Sequence, residues 1–239
     1  MADKLELPNG IEKDGKVYKV AYLGEMTGKQ QNYLINTKYK SPIEHVEHIF
    51  SDLLEKVETE DGEKLEENPK HIIRNMLGFD DITYLIVKLW EITFDERKIE
   101  NAECSHCSAK NELMVELDKL EIISPESDKR GVVTLPKSEL EATYQPLYYE
   151  ALKQYSSNRE RMLNRATTST VAMRLEKLGE KVDPKEEDVE NLPAKDIRFL
   201  QNEAPEYKRI DTTITAECKQ CGEEFDHEME VLSADFLAQ

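Results

Sequence analysis

The chain has 239 residues, 38% of them apolar and 34% charged, with a formal net charge of -18 and a pI near 4.8. A field of that sign argues against binding to nucleic acid or anionic membranes and suits basic protein partners. No stretch approaches the roughly 20 apolar residues of a membrane span, and the start, Met1-Ala2-Asp3-Lys4-Leu5-Glu6, carries no apolar signal region. The expected location is therefore the cytoplasm, where thiols stay reduced and paired cysteines tend to bind metal.

In chain order, Leu5-Glu6-Leu7-Pro8-Asn9-Gly10 reads as an extended piece ending in an Asn-Gly turn. Lys16 to Leu23 alternates, so the two predict an N-terminal β-hairpin. A helix follows from Gly24 or Thr27 to near Lys38. Gly28-Lys29 lacks the rest of a phosphate loop. Ser41-Pro42 with Glu44 forms a capping box for a helix carrying Val46, Ile49, Phe50, Leu53, Leu54 and Val57. His45 and His48, among Glu44 and Glu47, read as a solvated face of that helix. Thr59 to Pro69 is an acidic loop, and Pro69 to Leu77 a short helical piece. Asp80 or Asp81 then caps the most apolar helix, Ile82 to Phe94, with the sole tryptophan, Trp90, as a core anchor.

Beyond residue 130, Gly131 to Pro136 reads as a strand, Tyr144 to Leu163 as a helix with aromatic Tyr148, Tyr149 and Tyr155, and Ala166 to Leu178 as another helix. Glu180 to Glu190 reads as a charged loop. Leu192-Pro193-Ala194-Lys195-Asp196 opens a helix through Phe199 and Leu200 that stops near Pro205.

All four cysteines fall in two short runs, Cys104-Ser105-His106-Cys107 and Cys218-Lys219-Gln220-Cys221. Each has the spacing of a knuckle offering two thiolates to one ion, and zinc prefers four ligands in a tetrahedron. One closed structural zinc site at Cys104, Cys107, Cys218 and Cys221 is the simplest reading. The flanks of both runs alternate, as strand, knuckle, strand. Two buried thiol pairs, a disulfide or a redox pair are the alternatives, although a redox pair usually opens a helix. His106 and His227 are the substitute ligands.

The predicted fold is α+β: mostly helical, around a small antiparallel split zinc ribbon with its four-cysteine site, plus the N-terminal β-hairpin. Residues 1–96 form the hairpin and helical block, 97–143 the first half-ribbon and following strand, 144–209 a helical insertion, and 210–239 the second half-ribbon. No serine-hydrolase, zinc-protease, phosphate-loop or dinucleotide motif is present, so no catalytic residue is assigned. Two alternatives are a zinc-ribbon nucleic-acid-binding or transcription protein, which the glutamate-rich flanks oppose, and a metal-dependent enzyme.

The Leu-Pro turn, the apolar helix running into a CxxC knuckle, the Val-Glu-Leu-Asp and Val-Thr-Leu-Pro strands, the Leu-Pro-Ala-Lys-Asp helix and the final Cys-Lys-Gln-Cys-Gly-Glu-Glu-Phe occur in one order. In this the chain resembles the tailed-bacteriophage baseplate hub and tail assembly proteins, the family of the T-even phage baseplate hub subunit. The resemblance implies a non-enzymatic virion-assembly protein, a subunit or chaperone. It would bind hub or tape-measure proteins in the host bacterial cytoplasm, and it implies no nucleic-acid or membrane partner.

Overall fold

The computed structural model describes residues 2–36, 42–125, 131–148, 150, 151 and 166–231. Strand β1 (Asp3–Lys13) pairs antiparallel with β2 (Lys16–Leu23) across Asp14-Gly15, both at positive φ. The Asn-Gly turn expected at the end of a short strand is instead a bulge within β1. The ladder shifts between Glu6 and Ile11, and Gly10 sits at φ 78. A Cβ there would meet Lys19 Cγ at 2.7 Å, so glycine is needed for space as well as for φ.

Helices α1 (Gly28–Asn36) and α2 (Pro42–Leu53) lead to β3 (Leu54–Glu58), which completes a three-stranded sheet in the order β1-β2-β3. The helix expected to run through Val57 therefore ends at Leu53, because pairing with β2 satisfies the next backbone groups. Ser41 of the expected capping box lies outside the described residues. His45 and Glu47 are buried, so the expected solvated face is reduced to His48, which stacks on Tyr33 at 3.8 Å.

Next come α3 (Pro69–Asn75), α4 (Phe79–Phe94), β4 (Glu96–Glu103), β5 (Lys110–Glu116) and the short β6 (Ile122–Ile123). They are followed by β7 (Val132–Thr134), β8 (Glu141–Tyr144), α5 (Ala166–Met173), β9 (Leu175–Leu178), β10 (Lys181–Val182), α6 (Glu186–Glu190) and α7 (Ala194–Asn202). The last three are β11 (Arg209–Ile210), β12 (Thr213–Glu217) and β13 (Glu224–Glu228).

The expectation of a mostly helical chain is overturned. Among the described residues helix and strand each take about a third, and the described strands form five antiparallel sheets. The excess strand comes from segments read as helix or loop. Tyr144 ends a strand, with its hydroxyl donating to Leu200 O at 2.9 Å, while most of the helix expected to follow it lies outside the described residues. Leu175–Leu178 is a strand, not the end of a helix. The charged loop before residue 190 contains β10 and α6.

The contacts divide the chain into two units. The first joins Met1–Ile73, Asp80–Ile123 and Arg209–Gln239. Here α4 buries Ile82, Leu85, Ile86, Val87, Leu89 and Trp90, each contributing about 1.5–3 kcal/mol. The Arg97 guanidinium lies over the Trp90 ring at 4.5 Å. The second unit joins Arg74–Phe79 and Ser124–Lys208, with the sheet order β10-β9-β8-β7 and a core of Leu135, Ala142, Tyr144, Val171, Leu175, Leu178, Val189 and Leu200.

Each unit contains a fully buried helical carboxylate. The cap expected at Asp80 or Asp81 is at neither: both lie inside the first turn of α4, and Asp81 reaches the β1 bulge. Asn9 N–H donates to its Oδ1 at 2.9 Å and Gly10 N–H to its Oδ2 at 3.2 Å. In the second unit, Asp196 in the first turn of α7 accepts from Lys137 N–H at 2.8 Å and Ser138 N–H at 2.9 Å.

Candidate metal centre

Each cysteine pair sits in the turn of a two-stranded antiparallel hairpin, β4-β5 or β12-β13. Cys104 N–H donates to Ala109 O at 2.9 Å and Ser108 N–H to Cys104 O at 2.8 Å. The second turn repeats both bonds, Cys218 N–H to Glu223 O and Gly222 N–H to Cys218 O, each at 2.9 Å. The residue after the second cysteine has positive φ in both, 58 at Ser108 and 77 at Gly222. This tight turn directs both sulfurs of a hairpin to one side.

The structure brings all four predicted ligands together. Cys104 Sγ lies 3.8 Å from Cys221 Sγ, Cys107 Sγ lies 3.7 Å from Cys218 Sγ, and all four sulfurs lie within 4.8 Å of one another. Four thiolates about 2.3 Å from a central ion stand about 3.8 Å apart in a regular tetrahedron, so the donor set fits such an ion. A disulfide needs about 2.0 Å, and all four cysteines are free. Neither CxxC opens a helix, as a redox pair would. Cys104 and Cys218 are buried, and Cys107 and Cys221 lie at the surface.

The surroundings move Cys218 and Cys107 in opposite directions. Backbone N–H groups of Cys221 and Gln220, with the Asn111 side chain, bring Cys218 down to about 6. At Cys107 the Ala109 amide pulls downward, but the neighbouring sulfurs outweigh it and push the thiol up to about 12. Without a cation, one thiolate suppresses the ionisation of its neighbours, whereas a divalent ion offsets that repulsion.

The packing around the sulfurs comes from Ala102, Leu113 and Phe225, with Ile99, Ala109, Ile214 and Ala216 partly buried. Phe225 points inward and Glu224 outward, as the alternation predicts. His106 is not part of the cluster. Its backbone N–H points at Cys104 Sγ at 3.4 Å, and its ring Nε2 lies 3.0 Å from Glu224 O, tying one hairpin to the other. His227 is half-buried opposite Ile214 and also stands outside the cluster.

Sequence reading passed over Asn111. It is buried, donates from Nδ2 to Cys218 Sγ at 3.6 Å and to Ala109 O at 3.0 Å, and accepts from Lys219 N–H at 3.0 Å. The signal was present, because Asn111 is a polar residue on the inward phase of β5 shared with Leu113 and Val115. Among the described residues this is the one such cluster of metal-ligating side chains, and no helix is long and apolar enough to cross a membrane.

Fold and site together define an acidic protein of short helices and antiparallel hairpins, with a four-thiol cluster able to hold one metal ion. A family model described as T4 bacteriophage base plate protein matches residues 11–237. The chain belongs to that family, and is a phage baseplate structural protein. No curated protein and no solved structure matches it.

Proposed function

We propose that the protein serves the baseplate hub without catalysing a reaction, as a hub subunit or an assembly chaperone binding hub or tape-measure proteins. Cys104, Cys107, Cys218 and Cys221 hold one structural zinc ion. The observation that carries the metal assignment is the pair of cross-hairpin sulfur separations, 3.8 and 3.7 Å, close to a tetrahedral edge. When bound, such an ion supplies folding free energy rather than chemistry, because four thiolates leave no open position. Family membership supports the tail role. The exposed ribbon carboxylates, among them Glu100, Glu103, Glu112, Glu217, Glu223 and Glu224, oppose a nucleic-acid role.

Two measurements test this. Cobalt-substituted protein is expected to hold one ion per chain, with the intense absorption of a tetrahedral thiolate site. Co-purification with the phage's hub and tape-measure proteins is expected to give a stoichiometric complex. Failure of every tail protein to bind overturns the hub role, and mass spectrometry of purified virions separates subunit from chaperone.

A further inference from the structure

We infer that the chain is two copies of one folding unit, over residues 3–116 and 132–228, and that each copy supplies one CxxC hairpin to the four-thiol centre. The repeat does not depend on which ion or partner the protein binds.

The sheets carry it first. In the first copy Lys4, Leu5 and Glu6 of β1 face Tyr22, Ala21 and Val20 of β2. In the second, Val132, Val133 and Thr134 of β7 face Thr143, Ala142 and Glu141 of β8. The next pairing matches residue for residue. Ala21–Val57, Tyr22–Lys56 and Leu23–Leu54 correspond to Ala142–Leu178, Thr143–Lys177 and Tyr144–Leu175, and both ladders shift register between the second and third pairs. The same bond closes each, Gly24 N–H to Leu53 O and Gln145 N–H to Arg174 O, both at 2.9 Å. β3 reads Leu-Glu-Lys-Val and β9 reads Leu-Glu-Lys-Leu.

The carboxylates carry it next. Leu-Pro stands at the same place in each copy, at the β1 bulge as Leu7-Pro8 and directly after β7 as Leu135-Pro136. In each copy the two N–H groups after the proline donate to the aspartate of a distant helix. That helix reads Asp81-Ile82-Thr83-Tyr84-Leu85 in one copy and Asp196-Ile197-Arg198-Phe199-Leu200 in the other. Counting back an equal distance from each aspartate reaches Pro69-Lys70 and Pro184-Lys185, at the start of the preceding short helix or just before it.

The knuckles come third. Beyond their shared turn bonds, Ala102–Asn111 and Glu103–Lys110 occupy the ladder positions of Ala216–Phe225 and Glu217–Glu224. A bulged ladder, a carboxylate clamp and a CxxC hairpin are each common alone, and nothing in one requires the others. Their recurrence in one order, with the ladder irregularity at one place, is what duplication produces. The four-thiol centre is then made as a two-fold dimer interface is made, from the same element presented twice.

The test uses the full metal-loaded chain. Amide exchange is measured by NMR in the wild type, Asp81→Ala and Asp196→Ala. Duplication predicts matched protection in the wild type at Asn9/Gly10 and Lys137/Ser138, and matched local loss, Asp81→Ala freeing the first pair and Asp196→Ala the second. Should either variant fail to fold, the wild-type protection and ladder contacts of β7-β8-β9 still decide. A β8-β9 pairing without the register shift at Thr143/Tyr144, or Lys137 and Ser138 amides that exchange freely, overturns the inference.

Discussion

The bulge at Leu7–Gly10 and the turn at Leu135–Ser138 are held by the same two bonds, yet their aspartates stand in different fields. Burial pushes Asp81 up to about 7, against the pull of the Asn9 and Gly10 N–H groups, and Asp80 beside it adds repulsion. Burial also raises Asp196, but hydrogen bonds from Ser138 and the Lys137 amide, with the charge of Lys195, hold it below the ordinary carboxylate range. Asp80 and Lys195 occupy the same position, one residue before the clamping aspartate. The backbone bonds have been kept while the balance of burial against hydrogen bonding has shifted, and the neighbouring charge, a smaller influence on both, has changed sign. Bond geometry alone therefore does not fix the protonation state of a buried carboxylate.

The largest expected break falls on the shared centre. On the proposed structural zinc, Cys104→Ser and Cys218→Ser should each open both hairpins, because an ion held that way supplies on the order of 10 kcal/mol. If the copies contribute equally, the two variants lose similar amounts in thermal melts followed by near-ultraviolet circular dichroism. A cost confined to one of them would show that only one hairpin depends on the ion.

The clamps come next. Asp81→Ala and Asp196→Ala each leave two backbone N–H groups without their carboxylate acceptor, so each should cost about 2–4 kcal/mol in urea denaturation.

Titration sharpens the comparison most directly. Carboxyl carbon-13 shifts should give Asp81 a midpoint near 7 and Asp196 one below 3.8. The folded state thus favours protonated Asp81, so stability from this group is present at low pH and declines as pH rises from about 4 to 7. Asp196 behaves oppositely: its contribution is present above its unfolded value and declines as pH falls through the folded one. Asp80→Lys should bring Asp81 down toward its counterpart, and Lys195→Asp should raise Asp196.

The smallest effect is at the knuckles, where Ser108 holds the positive φ that Gly222 adopts without strain. Ser108→Gly should raise stability by about 0.5–1 kcal/mol and Gly222→Ser lower it by a similar amount. Melting temperatures of the two metal-loaded variants read both signs.

The cysteine spacing pointed to the four residues whose sulfurs the fold brings together, and strict alternation along β13 placed Phe225 inward. The short strands were hidden by the same ladder irregularity that marks the duplication. In β3 the buried residues are Leu54 and Val57, and in β9 they are Leu175 and Leu178, three apart in both cases. Three-residue spacing mimics a helix, so a bulged strand following a helix reads as its last turn. Asp81 was misread for a related reason. An acidic residue in a first helical turn looks like a local cap, and its true donors lie 71 and 72 positions away in sequence.

The division of the first unit between both ends of the chain sets a clock on its formation. Cys107 and Cys218 are separated by 111 positions, and the second unit's main segment, Ser124–Lys208, lies between them. At about 5–20 residues per second, a ribosome makes the first knuckle roughly 5–20 s before its partner. For that interval the nascent chain carries two thiols with no complete site, while the intervening unit emerges and can finish folding. Closing the four-thiol site therefore waits until the second knuckle has emerged, and metal starvation should trap chains in which Ser124–Lys208 is folded and the two knuckles are not yet joined.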